Sequence, residues 1–188
     1  MARRRYDSDG TEKRIARQKI IDLFTAWPGK LDMLTLPGTS WTFERQLLTV
    51  RLPERTYFTS CENNRAKFAV AIKTKPTTAS FLFGDVDNLM AKTEDTWDAA
   101  WLDYYGPLTI KRLAIIKRFY QGFIRDTLII TALKTRWPLD TGIAIDYAGG
   151  HSQWLKQNLN GELLHDFEYL DTTPMIQFAI RHRRQWWM

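Results

Sequence analysis

Cysteine is nearly absent from this chain of 188 residues: Cys61 stands alone, which excludes a disulfide framework within the chain. A reducing, cytoplasmic setting is the expectation that follows. Histidine is scarce as well, and its three widely spread copies form no zinc-binding spacing. No apolar run approaches the roughly 20 residues that cross a bilayer, so no membrane partner is expected. The opening stretch, MARRRYDSDG, lacks the apolar segment of a secretion signal. Internal repeats and low-complexity linkers are missing too, which leaves one globular domain as the simplest organisation.

What is present is a balanced composition, 44% hydrophobic and 26% charged, ordinary for a packed core. Lysine and arginine number 27 against 21 acids, a net charge of +6. With a pI near 9.5, the chain favours polyanionic partners, because basic side chains displace counterions condensed on phosphates. Basic residues bunch at the ends, ARRR at 2–5 and RHRR at 181–184, the latter followed by Trp186 and Trp187. Those indoles either stack on bases or pack a chain end against the core.

Residues 1–10 read as a disordered basic terminus and residues 11–188 as one domain. Apolar residues at helical spacing predict a helix from Thr11 to Trp27, stopped by Pro28-Gly29. A short buried strand is expected over LDMLTLPG, then a short helix from Thr42 to Val50. RTYFTSC at 55–61 is a strand by composition, and residues 63–74 a helix with Asn63 as its cap. Strands follow over 79–87 and 96–105, and an amphipathic helix over 109–124 with Thr109 as a candidate cap. The run DTLIITALKT predicts a strand buried on both faces. Residues 144–159 are expected to be helical in parts, broken at Gly149-Gly150. LLHDFEYLD and MIQFAIRHR close the chain as an antiparallel hairpin. Strands alternating with helices imply right-handed crossovers, hence a Rossmann-like α/β domain. Its sheet is mostly parallel and seven-stranded, with helices on both faces.

In such a sheet ligands bind beyond the carboxyl ends of the strands. Those ends read LPGTS, SCENN, FGDVD and LDYYGP, and the last three deliver Glu62, Asp85 and Asp103. Carboxylates along one rim repel each other unless a cation, donor groups or water relieve them. The intervals, 24 residues from Gly38 to Glu62, 23 to Asp85 and 18 to Asp103, each suit one strand-helix unit.

This order resembles the class I S-adenosylmethionine-dependent methyltransferases, from about Leu31 to the end. The resemblance implies that Leu36, Pro37, Gly38 and Thr39 pass close to the methionine part of the cofactor. It implies that Glu62, with Asn63 beside it, holds the ribose hydroxyls, and that Gly84 and Asp85 meet the adenine. Asp103 and Tyr104 would form the floor of the transfer site, with Tyr105, Lys134 and Arg136 contacting substrate. The first motif departs from the family's G-x-G-x-G, since Gly38 is its one glycine.

A nucleic-acid acceptor is the expectation, with the atom open. Cys61 lies on the wrong strand to attack a cytosine ring. DYYG keeps an acid and an aromatic of the amino-methylating pattern but lacks its prolines. Lys30, Asp103 and Lys134 stand in the order used for ribose methylation, without its last acid. Lys111, Arg112 and His151 are weaker candidates near the cleft. Two other classes compete: a non-enzymatic nucleic-acid-binding module, and a magnesium-dependent nuclease using Asp85, Asp87 and Asp103.

Overall fold

The fold was determined as a computed structural model, which describes residues 10–104, 106, 108–133, 155, 157–170 and 174–183. Seven strands form one sheet in the order β3-β2-β1-β4-β5-β7-β6. They are β1 (Leu31–Thr35), β2 (Thr56–Glu62), β3 (Ala79–Phe83), β4 (Trp97–Asp103), β5 (Ile124–Leu133), β6 (Gly161–Leu170) and β7 (Pro174–His182). The first five run parallel, and β7 inserts antiparallel between β5 and β6. The expected mostly parallel sheet with a closing antiparallel hairpin is what forms.

The helices described in full that cover it are α1 (Thr11–Thr25), α2 (Thr42–Val50), α3 (Arg65–Thr74), α4 (Val86–Lys92) and α5 (Ile110–Phe123). A one-turn 3-10 helix, Pro53–Arg55, leads into β2. The alternation of side chains along each strand sends residues to two faces. Leu31, Met33, Phe58, Trp101 and Ile129 pack beneath α1, α2 and α3 with Ile20, Phe24, Phe43, Leu47 and Ala71. Leu34, Ala100, Leu102, Leu128 and Ile130 pack beneath α4 and α5 with Met90, Leu113, Ile116 and Phe119. Both faces of the central strands are therefore dry. That is why DTLIITALKT reads as a continuous apolar run rather than an alternating one.

The ends of the helices explain the loops. Gly29 adopts a left-handed φ of 73°, which ends the excursion after α1. The guanidinium of Arg51 then donates to the carbonyls of Phe24 and Trp27 at 2.8 Å and of Gly29 at 2.9 Å. One side chain thus satisfies the orphan carbonyls where α1 stops. Three helix starts are capped by side chains: Asn64 accepts from Lys67 N–H, Asp85 from Asp87 and Asn88 N–H, and Thr109 from Arg112 N–H.

Several expectations need correction. The cap of α3 is Asn64 and not Asn63, because Glu62 accepts from Asn64 N–H at 2.7 Å and draws the chain one residue further before it coils. Strand β1 ends at Thr35, so Leu36 to Thr39 already belong to the loop. Strand β3 ends at Phe83, where Asp85 starts the unpredicted helix α4. Strand β5 begins at Ile124, directly after α5. The expected disordered terminus, the Gly149-Gly150 break and the tryptophans at 186 and 187 lie outside the described residues.

Candidate cofactor and transfer site

The carboxyl ends of β1 to β4 open into a cleft of about 620 Å³. Its walls include Leu36, Pro37, Gly38, Thr39, Glu62, Asn63, Gly84, Asp85, Asp103 and Tyr104. Every residue named for the cofactor from the sequence therefore borders one hollow. Cys61, Asn64, Lys67, Val86, Gly106 and Arg112 complete it, and of these the sequence offers Arg112, as a weaker candidate. Four of the six directly neighbour a predicted residue. Lys67 and Arg112 instead reach the cleft from the first turns of α3 and α5.

The first loop solves its turn in an unusual way. Trp41 N–H donates to the Gly38 carbonyl at 3.2 Å, closing a tight turn with Trp41 at φ 54°. A bulky residue rarely takes this left-handed conformation. Burial holds it there: the indole N–H donates to the Ala71 carbonyl at 2.9 Å, and the ring meets Phe81 edge-on at 5.0 Å. With Gly38 the one glycine of the loop, packing of Trp41 rather than further flexible residues holds this turn.

At the end of β2, one oxygen of the Glu62 carboxylate accepts from Asn64 N–H. Asn63 donates its side-chain amide to Asp85 at 3.2 Å, tying the second loop to the third. The Asp85 carboxylate also caps α4, which fixes its position at the cleft rim. A Cβ added at Gly84 would meet no protein atom within 4 Å, so neither packing nor a left-handed φ demands glycine there. The room is left to the cleft.

Consecutive residues of β4 point to opposite faces, and this separates the two members of the expected floor. Asp103 shares the α1 and α2 face with Trp101, whose indole donates to Thr131 at 3.0 Å. Tyr104 turns beneath α4 and α5 and is 5% exposed. Its hydroxyl donates to Asp87 at 2.9 Å, and Arg112 Nε donates to the other oxygen of Asp87 at 2.9 Å. The Arg112 guanidinium covers the Tyr104 ring at 4.2 Å. Tyr104 borders the cleft as expected for a member of its floor, but with one ring face covered by a cation that α5 supplies. Burial, followed by the Asp87 charge and hydrogen bond, raises the Tyr104 pKa well above the usual tyrosine value, so the phenol keeps its proton.

Cys61 is 5% exposed, and burial, with the nearby acids Asp85, Glu62 and Asp87, pushes its thiol up to about 12. It stays a protonated thiol at neutral pH and lacks nucleophilic character. Asp87 is committed to Tyr104 and Arg112. Among the described residues no group of three or more histidine, cysteine, aspartate or glutamate side chains could hold a metal ion. The nuclease arrangement of Asp85, Asp87 and Asp103 is therefore not assembled.

Lys30 precedes β1 at the opposite end of the sheet, paired with Asp32 at 3.0 Å and lying over the Tyr57 ring. It cannot join Asp103, which removes the ribose-methylation set from consideration. Tyr105, Lys134, Arg136 and His151 lie outside the described residues.

The strand order, the antiparallel insertion of β7 and the cleft at the carboxyl ends define the fold of class I S-adenosylmethionine-dependent methyltransferases. Solved structures agree across nearly the whole chain. The N-methyltransferase NodS from Bradyrhizobium japonicum WM9 superposes with a TM-score of 0.64 at 11% identity, over 94% of this chain and 99% of that one. The magnesium protoporphyrin IX methyltransferase ChlM from Synechocystis PCC 6803, with bound S-adenosylhomocysteine, gives 0.60 at 14% identity over 90% and 85%. TrmK from M. capricolum, in complex with S-adenosylhomocysteine, gives 0.57 at 13% identity over 87% and 68%. No protein-family model and no curated protein sequence matches the chain. The likeness therefore resides in the backbone path and not in sequence identity. No described helix is long and apolar enough to cross a membrane.

Proposed function

We propose that the chain is an S-adenosylmethionine-dependent methyltransferase whose acceptor is a nucleic acid. One observation carries the reading: the carboxyl ends of three parallel strands, β2, β3 and β4, bring Glu62, Gly84, Asp85 and Asp103 to the border of a single cleft. The donor set fits a nucleoside joined to an amino acid. Glu62 accepts from ribose hydroxyls, the open side of Gly84 admits a flat base, and the loop from Leu36 to Thr39 lines the amino-acid end. The group bound there supplies a methyl carried on positively charged sulfur. Asp103, at the end of β4, takes a hydrogen bond or proton from an attacking amine or hydroxyl. Tyr104, Asp87 and Arg112 stiffen the wall beside it, so positioning rather than covalent chemistry dominates.

The nucleic-acid acceptor rests on the net charge of +6 and on Lys67 and Arg112 at the cleft. Tyr105, which follows Tyr104, and Lys134 and Arg136, which follow β5, are the substrate contacts this reading assigns. Incubation with methyl-labelled cofactor and defined RNA and DNA oligonucleotides tests it. Label in nucleic acid supports the reading, and label found only in protein or small molecules overturns the acceptor. No calorimetric affinity for S-adenosylhomocysteine at millimolar concentration overturns the enzyme, and salt-dependent nucleic-acid binding would then point to a binding module.

A further inference from the structure

Only two charged side chains are buried among the described residues, Arg17 at 8% and Glu44 at 2% exposure. Both enter the layer between the sheet and the pair α1 and α2, where the other buried polar groups are uncharged. Glu44 shares a hydrogen bond with the side chain of Thr35, the residue that precedes the cleft loop, and Thr35 meets Ser60 at 2.6 Å. Arg17 from α1 and Asp103 from β4 are the charged groups within electrostatic reach of Glu44. An apolar layer gains nothing from burying an acid and a guanidinium, because taking each out of water costs several kcal/mol before pairing. The informative fact is the placement of Glu44 against Thr35, whose register partner Trp101 lies two residues before Asp103 on the same strand.

Glu44 has one cation, Arg17, and one other acid, Asp103, within electrostatic reach, so loss of its proton adds one negative charge to the group. Burial raises the Glu44 pKa to about 7, with Asp103 adding to the rise, against the Thr35 hydrogen bond, a backbone hydrogen bond and Arg17. Methyl donor and spent product differ at the sulfur, which is cationic before transfer and neutral after it. A floor that gains negative charge therefore favours the donor over the product.

We propose that Arg17, Glu44 and Asp103 form a charge-setting unit in which Glu44 positions Asp103 and tunes the cleft's preference for a sulfonium over a thioether. Glu44 is a positioning residue, since it lies behind the cleft wall and touches no ligand. The inference rests on the cofactor reading above. It places the control of product release in the α1 and α2 layer rather than in a moving lid.

Calorimetric titration with S-adenosylmethionine and, separately, S-adenosylhomocysteine at pH 6 and pH 8 tests it. The sulfonium makes the donor's own amino group more acidic than the product's, so the Glu44→Gln variant, which meets the same two ligands, is the reference. From pH 6 to pH 8 the ratio Kd(product)/Kd(donor) changes in the wild type by roughly five-fold more, toward the donor, than it does in Glu44→Gln. An equal pH dependence in wild type and variant overturns the proposal while leaving the cofactor reading intact. Should the wild type bind neither ligand, the cofactor reading falls and takes this inference with it. Should Glu44→Gln fail to fold, Thr35→Val removes the hydroxyl that lowers the Glu44 pKa. The midpoint of the ratio then moves to higher pH, and an unmoved midpoint overturns the proposal.

Discussion

The two sides of the cleft floor are built from the same strand end and hold their charges in contrasting ways. Beneath α4 and α5, Asp87 receives hydrogen bonds from Tyr104 and Arg112, with the ion pair open to water on one side. Beneath α1 and α2, Asp103 is within electrostatic reach of Glu44, which with Arg17 is buried in the layer under these helices. On the first side geometry is fixed and protons stay where they are. On the second side the burial of Glu44 brings a proton equilibrium to neutral pH. Rigid wall and responsive floor meet between residues 103 and 104.

Breaking the responsive side at its front has the largest expected effect. Asp103→Ala lowers methyl transfer by about 100-fold or more, as loss of a positioned acid or base generally does. Kd for S-adenosylhomocysteine should change far less, which single-turnover assays and calorimetry together will show.

Next comes stability. The unfolded Glu44 carboxyl ionises near 4.5 while the folded one keeps its proton up to about 7. The folded state thus binds the extra proton between those values, and the wild type loses stability as pH rises through that window. Glu44→Gln lacks this loss, so its stability relative to the wild type should improve by about 2–3 kcal/mol between pH 4.5 and pH 8. Urea unfolding at both values measures it, and a constant difference contradicts the buried-acid account.

Glu62→Ala, at the ribose end, should weaken S-adenosylhomocysteine binding about 10- to 30-fold, the usual effect of losing charge-assisted hydrogen bonds. The smallest effect belongs to the rigid wall. Tyr104→Phe keeps the packing and removes one hydrogen bond to Asp87, which Arg112 still neutralises. A loss of about 1–2 kcal/mol in thermal unfolding, with methyl transfer within a few-fold, would mark Tyr104 as structural. A hundred-fold loss of transfer would return it to the catalytic group.

The succession of strands along the chain and the acids near their ends were legible in the sequence because apolar runs give way there to polar residues: Glu62 and Asp103 end β2 and β4, and Asp85 lies two residues past β3. Glu62, Asp85 and Asp103 could be named for this reason, and the structure places all three on one cleft. Helix α4 escaped notice because its seven residues span too few turns for periodicity, and Asp85 was already assigned to the ligand. The Arg112 cover on Tyr104 was not legible, because a strand end does not reveal which helix covers which face. Lys30 was grouped with Asp103 by order along the chain, although entry and exit of a strand lie at opposite ends of the sheet. Glu44 gave no signal at all: an acid in the first turn of a helix reads as a dipole partner, and only packing shows that it is buried.

The account stands most directly on what occupies the cleft. A crystal soaked with S-adenosylhomocysteine should show the ribose against Glu62, the base beside Gly84 and Asp85, and the sulfur on the Asp103 side of the first loop. Density for the ligand elsewhere on the molecule, or its adenosine lying away from Glu62 within the cleft, would contradict it.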